Sequence, residues 1–100
     1  MTDKLTYKIQ NLLLTNEYTD IKVSNKVNGE EMNIKEANIK FRYEPKEDKG
    51  YLSFGECKNT TVCEVEDSAI DEVVVYDDSL RIETKEKTYY CYKDSDKMYF

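Results

Sequence analysis

The residues best placed to do chemistry in this chain are carboxylates. Glu64, Glu66, Asp67, Asp71, Glu72, Asp77 and Asp78 fall between positions 59 and 80, a stretch with no Lys or Arg. Residues 1–50 carry nine bases and nine acids and residues 51–100 carry six and twelve, so the formal charge of −6 lies wholly in the second half. Carboxylates at strand ends stay solvated, and those within a Debye length of ~8–10 Å add their fields. A field of that sign draws in a basic cleft and speeds encounter with it. Tyr76, inside the same stretch, adds an aromatic contact. Glu64, Glu66, Asp67, Asp71, Glu72, Tyr76, Asp77 and Asp78 are therefore the candidate partner-binding residues. Acidic turns also keep a β-protein soluble and guard strand edges. A surface serving solubility alone intersperses both signs, as the first half of this chain does.

Other chemistry is excluded or weak. The chain has no histidine, which removes the Ser-His-Asp triad, the Cys-His pair and histidine-zinc catalysis. Gly29, Gly50 and Gly55 are scattered and build neither a phosphate cradle nor a dinucleotide fingerprint. Asp94-Ser95-Asp96 is a fragment of a calcium-loop spacing and reads as a turn. Cys57, Cys63 and Cys91 have no C-x-x-C spacing and read as small core thiols. The expectation is no catalytic residue, no cofactor, no metal and no enzyme. Direct nucleic-acid binding is disfavoured by the net charge and by having only Arg42 and Arg81 as guanidinium donors. No apolar run approaches the ~20 residues of a membrane span. Met1 to Leu5 lacks the layout of a signal peptide, so the cytoplasm of a bacterial host is the expected compartment. Thirteen lysines against two arginines, with abundant Asn, Ile and Tyr, suggest an AT-rich coding genome of a low-GC bacterium or its phage.

The elements that must position these carboxylates follow from periodicity. Leu5, Ile9, Leu12 and Leu13 make one apolar stripe, predicting a helix over about 3–16 capped by Thr2 or Asp3, with Asn16 as a left-handed stop. Alternation then predicts strands at about 19–27, 30–43, 51–57, 61–65, 73–76, 80–84 and 88–93. Asn28-Gly29 predicts a two-residue hairpin loop that sets Val23 opposite Ile34. A phase slip near Lys35-Glu36 predicts a bulge or sharp bend, and Glu66 to Ala69 a connection with one helical turn. Short connections throughout require antiparallel neighbours. The expected fold is a single α+β domain over 1–100, with the helix packed on a curled antiparallel meander of about six or seven strands. Val73-Val74-Val75-Tyr76 and Tyr89-Tyr90-Cys91-Tyr92 are apolar or aromatic on both faces. Either the sheet curls to cover both faces or a partner does, and curling is the expectation.

An amphipathic helix running into Asn16-Glu17-Tyr18-Thr19-Asp20-Ile21-Lys22-Val23 and then a hairpin resembles the opening of small acidic phage-borne anti-CRISPR proteins. The resemblance spans about the first forty residues and assigns no functional residue. It implies a non-enzymatic protein inhibitor from a phage or mobile element. Its acidic surface would mimic DNA and occupy the basic nucleic-acid-binding cleft of a host defence protein, such as a nuclease. Two other readings stand beside it. One is a self-associating structural or assembly accessory protein, motivated by the doubly apolar strands. The other is a small-molecule-binding sponge, motivated by Tyr89, Tyr90 and Tyr92.

Overall fold

Ile9 and Leu13, one helical turn apart, carry the N-terminal segment into the core, while Leu5 and Leu12 stay at 40% exposure. They define the buried stripe of α1 (Leu5–Thr15) in a computed structural model that describes residues 4–56 and 61–93. Thr2 and Asp3, the predicted caps, lie outside the described residues. The helix ends in a Schellman arrangement: Tyr18 N–H donates to Leu13 O at 2.9 Å and Glu17 N–H to Leu14 O at 3.3 Å. The left-handed residue is Glu17, at φ 58°, rather than Asn16, whose side chain donates instead to Leu12 O.

Among the described residues eight strands follow: β1 (Asp20–Asn25), β2 (Glu31–Ile34), β3 (Asn38–Glu44), β4 (Lys49–Gly55), β5 (Cys63–Glu66), β6 (Ile70–Val75), β7 (Ser79–Thr84) and β8 (Lys87–Tyr92). They form two antiparallel sheets, one ordered β2-β1-β8-β7-β6 and one ordered β3-β4-β5. The fold is α+β with one N-terminal helix, as the periodicity predicts. Within each sheet, strands adjacent in sequence pair and β8 returns to pair with β1, but the meander is interrupted between β2 and β3 and between β5 and β6, which lie in different sheets. What replaces curling is a change of sheet at two corners, and neither sheet curls strongly.

The first corner breaks the predicted strand 30–43 in two. Glu36 adopts φ 50°, Ala37 N–H donates to Thr19 O at 2.7 Å, and Glu36 N–H reaches Asp20 Oδ1 at 3.4 Å. The predicted bend is thus a transfer from the edge of one sheet to the edge of the other. The second corner is the 3-10 turn Asp67–Ala69 between β5 and β6, where one helical turn was expected.

The first hairpin departs from prediction by two residues. Ile21 lies opposite Ile34 and Val23 opposite Met32, because the loop has four residues, not two. Asn25 explains it: its side-chain oxygen accepts the N–H of Val27 at 2.9 Å and of Asn28 at 3.3 Å, closing a turn earlier. Gly29 supplies the φ of 75° that completes the loop. A two-residue slip keeps Ile21, Val23 and Ile34 on their predicted buried face, while Val27 passes from the predicted strand into the exposed loop.

The core lies between the inner faces of the sheets. Ile21, Val23, Leu80, Ile82, Tyr89 and Cys91 meet Ile39, Leu52, Phe54 and Val65, with Phe54 and Tyr89 ring centroids 5.9 Å apart. At one end α1 covers the three-stranded sheet, setting Tyr7 edge-on to Phe41 at 5.2 Å. Cys63 and Cys91 are buried free thiols in this core, and Cys57 lies outside the described residues. Among the described residues, no helix is long and apolar enough to cross a membrane.

Candidate functional site

The seven carboxylates of the cation-free stretch divide by the strand that carries each. On β5, Glu64 and Glu66 alternate with the buried Cys63 and Val65, so they face outward from the three-stranded sheet. There they meet cations from the first half of the chain. Arg42 Nη2 donates to Glu64 Oε1 at 3.1 Å, and Ser53 Oγ donates to Glu64 Oε2 at 2.7 Å. The Arg42 guanidinium also lies 4.1 Å over the Tyr51 ring. Burial pushes the Glu64 carboxyl up, but the Arg42 and Ser53 bonds outweigh it, and the group sits below the ordinary glutamate value. Lys49 Nζ lies 3.1 Å from Glu66 Oε1, and this contact chiefly, with Ser68, holds the Glu66 carboxyl down as well.

Asp67 has a structural task. Lys4, at the N-cap of α1, contributes no side-chain cap, and Asp67 Oδ1 accepts the Thr6 N–H at 2.7 Å from across the molecule. A carboxylate at a helix N-terminus satisfies an orphan donor and complements the helix dipole.

The remaining residues belong to β6 and its turn. Asp71 is exposed where the β6–β7 register shifts between Ile70 and Glu72. Glu72 pairs with Arg81 Nη2 at 3.6 Å on the outer face of the five-stranded sheet. The Arg81 guanidinium also lies 5.9 Å from the Tyr76 ring centroid. Asp77 and Asp78 form the exposed β6–β7 turn, which Tyr18 anchors by donating its hydroxyl to Asp77 O at 3.2 Å. Asp71, Asp77 and Asp78 pair with no cation among the described residues.

The structure therefore brings together Glu64 with Glu66, and Tyr76 with Asp77 and Asp78, but not all eight. Glu64 and Glu66 stand on the outer face of one sheet and Glu72 on the outer face of the other. Asp71 and Asp77 lie six residues apart along an extended strand, ~20 Å at ~3.3 Å per residue. That is about twice the screening length at physiological salt, so the two ends of β6 act as separate negative sites.

The strand between them is itself exposed. β6 is an edge of its sheet, hydrogen-bonded to β7 alone among the described strands, and Val75 is 60% exposed with Tyr76 at 44%. Of the two doubly apolar strands, β8 is central and buries Tyr89 and Cys91, while Tyr90 on its outer face is exposed. Sequence reasoning read Glu86 and Lys87 as part of a turn and named Tyr89 for the sponge alternative. In the structure they line a cavity at the seam beside β5, and the adjacent opposite charges at a hairpin tip were the available signal. No grouping of His, Cys, Asp and Glu among the described residues could hold a metal ion. No family model, curated protein or solved structure matches this chain.

Proposed function

We propose that this protein is a non-enzymatic binding protein that docks on a basic surface of a partner protein through the free edge of β6. One observation carries the reading: exposed Val75 and Tyr76 sit on an unpaired sheet edge, flanked by carboxylates, Asp71 at one end and Asp77 and Asp78 at the other, that no cation neutralises among the described residues. An apolar centre rimmed by charge is the usual anatomy of a binding patch, and a free edge offers main-chain hydrogen bonds as well.

The charge pattern favours a basic partner over a second copy. Two β6 edges meeting antiparallel about Val74 would set Asp71 of each against Asp77 of the other, and like charges directly opposite destabilise a strand pair. The expected partner surface carries Lys or Arg at two places ~20 Å apart, spanned by an apolar stretch. A basic groove that ordinarily holds a nucleic acid has that chemistry, and occupying it is the inhibitory form of this proposal.

The test uses the partner recovered from the native host on immobilised protein. Reversing Asp77 and Asp78 to Lys changes the formal net charge from −6 to −2. Binding is expected to weaken steeply with salt in the parent and by at least about tenfold in the D77K/D78K variant, with the urea midpoint unchanged. Competition with nucleic acid for the same partner would support the inhibitory form. Affinity indifferent to both salt and the reversal would refute the docking surface.

A further inference from the structure

Among the described residues the strands at sheet edges are β2 and β6 in one sheet and β3 and β5 in the other. Natural edges are blunted by shortness or by charge on the strand itself, which keeps other chains from pairing there. β2 and β5 are short, Glu64 lies within β5, and Lys40 and Arg42 lie within β3. β6 differs. Val73, Val74 and Val75 run on into Tyr76 with no charge among them, and the acids stand outside that run, Asp71 and Glu72 before it and Asp77 and Asp78 after it.

The turn after β6 fixes which of its main-chain groups point outward. Tyr76 N–H donates to Ser79 O at 2.8 Å, so Tyr76 and Ser79 are a hydrogen-bonded pair. Such pairs recur at every second residue of an antiparallel ladder, which makes Val74–Arg81 and Glu72–Glu83 the next two. Val73 and Val75 therefore turn their N–H and C=O groups away from β7, where they meet no partner among the described residues. Their side chains lie on the inner face, because their register partners Ile82 and Leu80 are buried in the core. Val73 packs against that core, whereas Val75 is largely exposed, so the apolar inner face is still open at the edge. The regular ladder stops at the register shift between Ile70 and Glu72, which leaves Asp71 as the extra residue of a bulge.

Resting on the reading that β6 docks a basic partner, we propose that the partner is held as an added β-strand: an extended segment that bonds the main chain of Val73 and Val75 and carries basic residues on either side of two apolar ones. Antiparallel addition is the more stable arrangement per residue. It sets one residue of the segment opposite Val73 and one opposite Val75, both on the inner face, where β-branched apolar side chains extend the core. Two positions further along in each direction stand Asp71 and Asp77, so the segment's order at alternate positions is basic, apolar, apolar, basic. The residues between lie beside Val74 and Tyr76 on the outer face and can be polar. A second copy of β6 fails this order, because it brings an acid to each end. Main-chain bonds supply the affinity of such a contact and the alternate side chains its selectivity.

The probe is the peptide acetyl-Lys-Thr-Val-Thr-Val-Thr-Lys-amide, titrated into the isotope-labelled full chain at low salt and followed by amide chemical shifts. It is expected to bind saturably at millimolar concentration or below, with the largest shifts at the Val73 and Val75 amides and slowed hydrogen exchange there. N-methylation of either peptide valine blocks an N–H that faces β6 and is expected to weaken binding about fivefold or more. N-methylation of the central threonine, whose N–H faces away, is expected to cost less than about twofold. V75P removes an outward N–H and no ladder bond, as an edge strand tolerates, and is expected to weaken the peptide about fivefold or more. An unchanged spectrum outside β6 shows that variant folded. Absence of saturable shifts, shifts centred away from β6, or equal binding of the valine-methylated and threonine-methylated peptides would each overturn strand addition. The native partner separates this from docking itself. Loss of its binding in D77K/D78K but not in V75P would refute strand addition and leave docking standing, and indifference to both variants would refute both.

Discussion

Replacing Asp67 by Ala should destabilise the protein through a helix 61 residues away in sequence. The bond from Thr6 N–H to Asp67 Oδ1, at 2.7 Å and part-buried, is the side-chain cap that α1 receives among the described residues. Losing an N-cap oxygen costs about 0.5–2 kcal/mol. Removing a negative charge from a helix N-terminus costs a further ~0.3–1 kcal/mol. The two overlap, so about 1–2 kcal/mol is expected, a fall in Tm of about 4–16 °C for a domain of this size. Asp67→Asn keeps an oxygen where Oδ1 stood and loses only the charge, so it should cost less than about 1 kcal/mol. Urea unfolding followed by far-ultraviolet circular dichroism reads both, and the slope with denaturant should not change. The reasoning fails if D67A lies within about 0.3 kcal/mol of the parent, or if D67N costs as much as D67A. In either case Asp67 would return to the set of residues available to a partner.

Three further outcomes are expected. A methyl group at Gly50 would stand 2.7 Å from Thr6 Oγ1 and 2.9 Å from Asp67 Oδ2, so G50A should cost about 1–3 kcal/mol and, by double-mutant cycle, cost less when Asp67 is already Ala. Glu64 and Glu83 are held below the ordinary 4.5, Glu64 by Arg42 and Ser53 against its burial and Glu83 chiefly by the Thr88 hydroxyl. The folded state therefore binds fewer protons than the unfolded chain, and their stabilisation is present above pH 4.5 and lost as pH falls through the folded values. The urea midpoint should drop below pH 4.5, less steeply in E64Q, and a midpoint flat from pH 7 to pH 3 would contradict this. Burial raises the Cys63 thiol to about 11 and the Cys91 thiol further, so peptide mapping after iodoacetamide treatment at pH 8 should find both unmodified until urea is added. Alkylation of either at the rate of a free thiol would show that the seam beside β5 opens.

Local chemistry made most of the elements legible. Alternation at Ile21 and Val23 and at Leu80 and Ile82 marks strands whose inward side chains are buried as predicted, since a period of two depends on nothing beyond the strand itself. The same principle explains why the hairpin could be misjudged by two residues at no cost to the core. Asn25 captured the loop with a side-chain bond that competes with the Asn28-Gly29 turn, and both solutions present the same face. The helix was legible except in how it ends, because Glu17 rather than Asn16 takes the left-handed position.

What the sequence by itself determined is therefore the helix and most of the strands, the inward faces of those strands, antiparallel pairing and the excess of acid in the second half, but not the division into two sheets. The tertiary structure alone decided what that acid does. Glu64, Glu66 and Glu72 acquire Arg42, Lys49 and Arg81 by strand pairing and sheet packing, and Asp67 acquires a helix end. Asp71, Asp77 and Asp78 remain unneutralised on an open edge. The reason is physical: a carboxylate's field is set by whatever charge stands within a few ångströms, and in a two-sheet fold that neighbour comes from a distant strand.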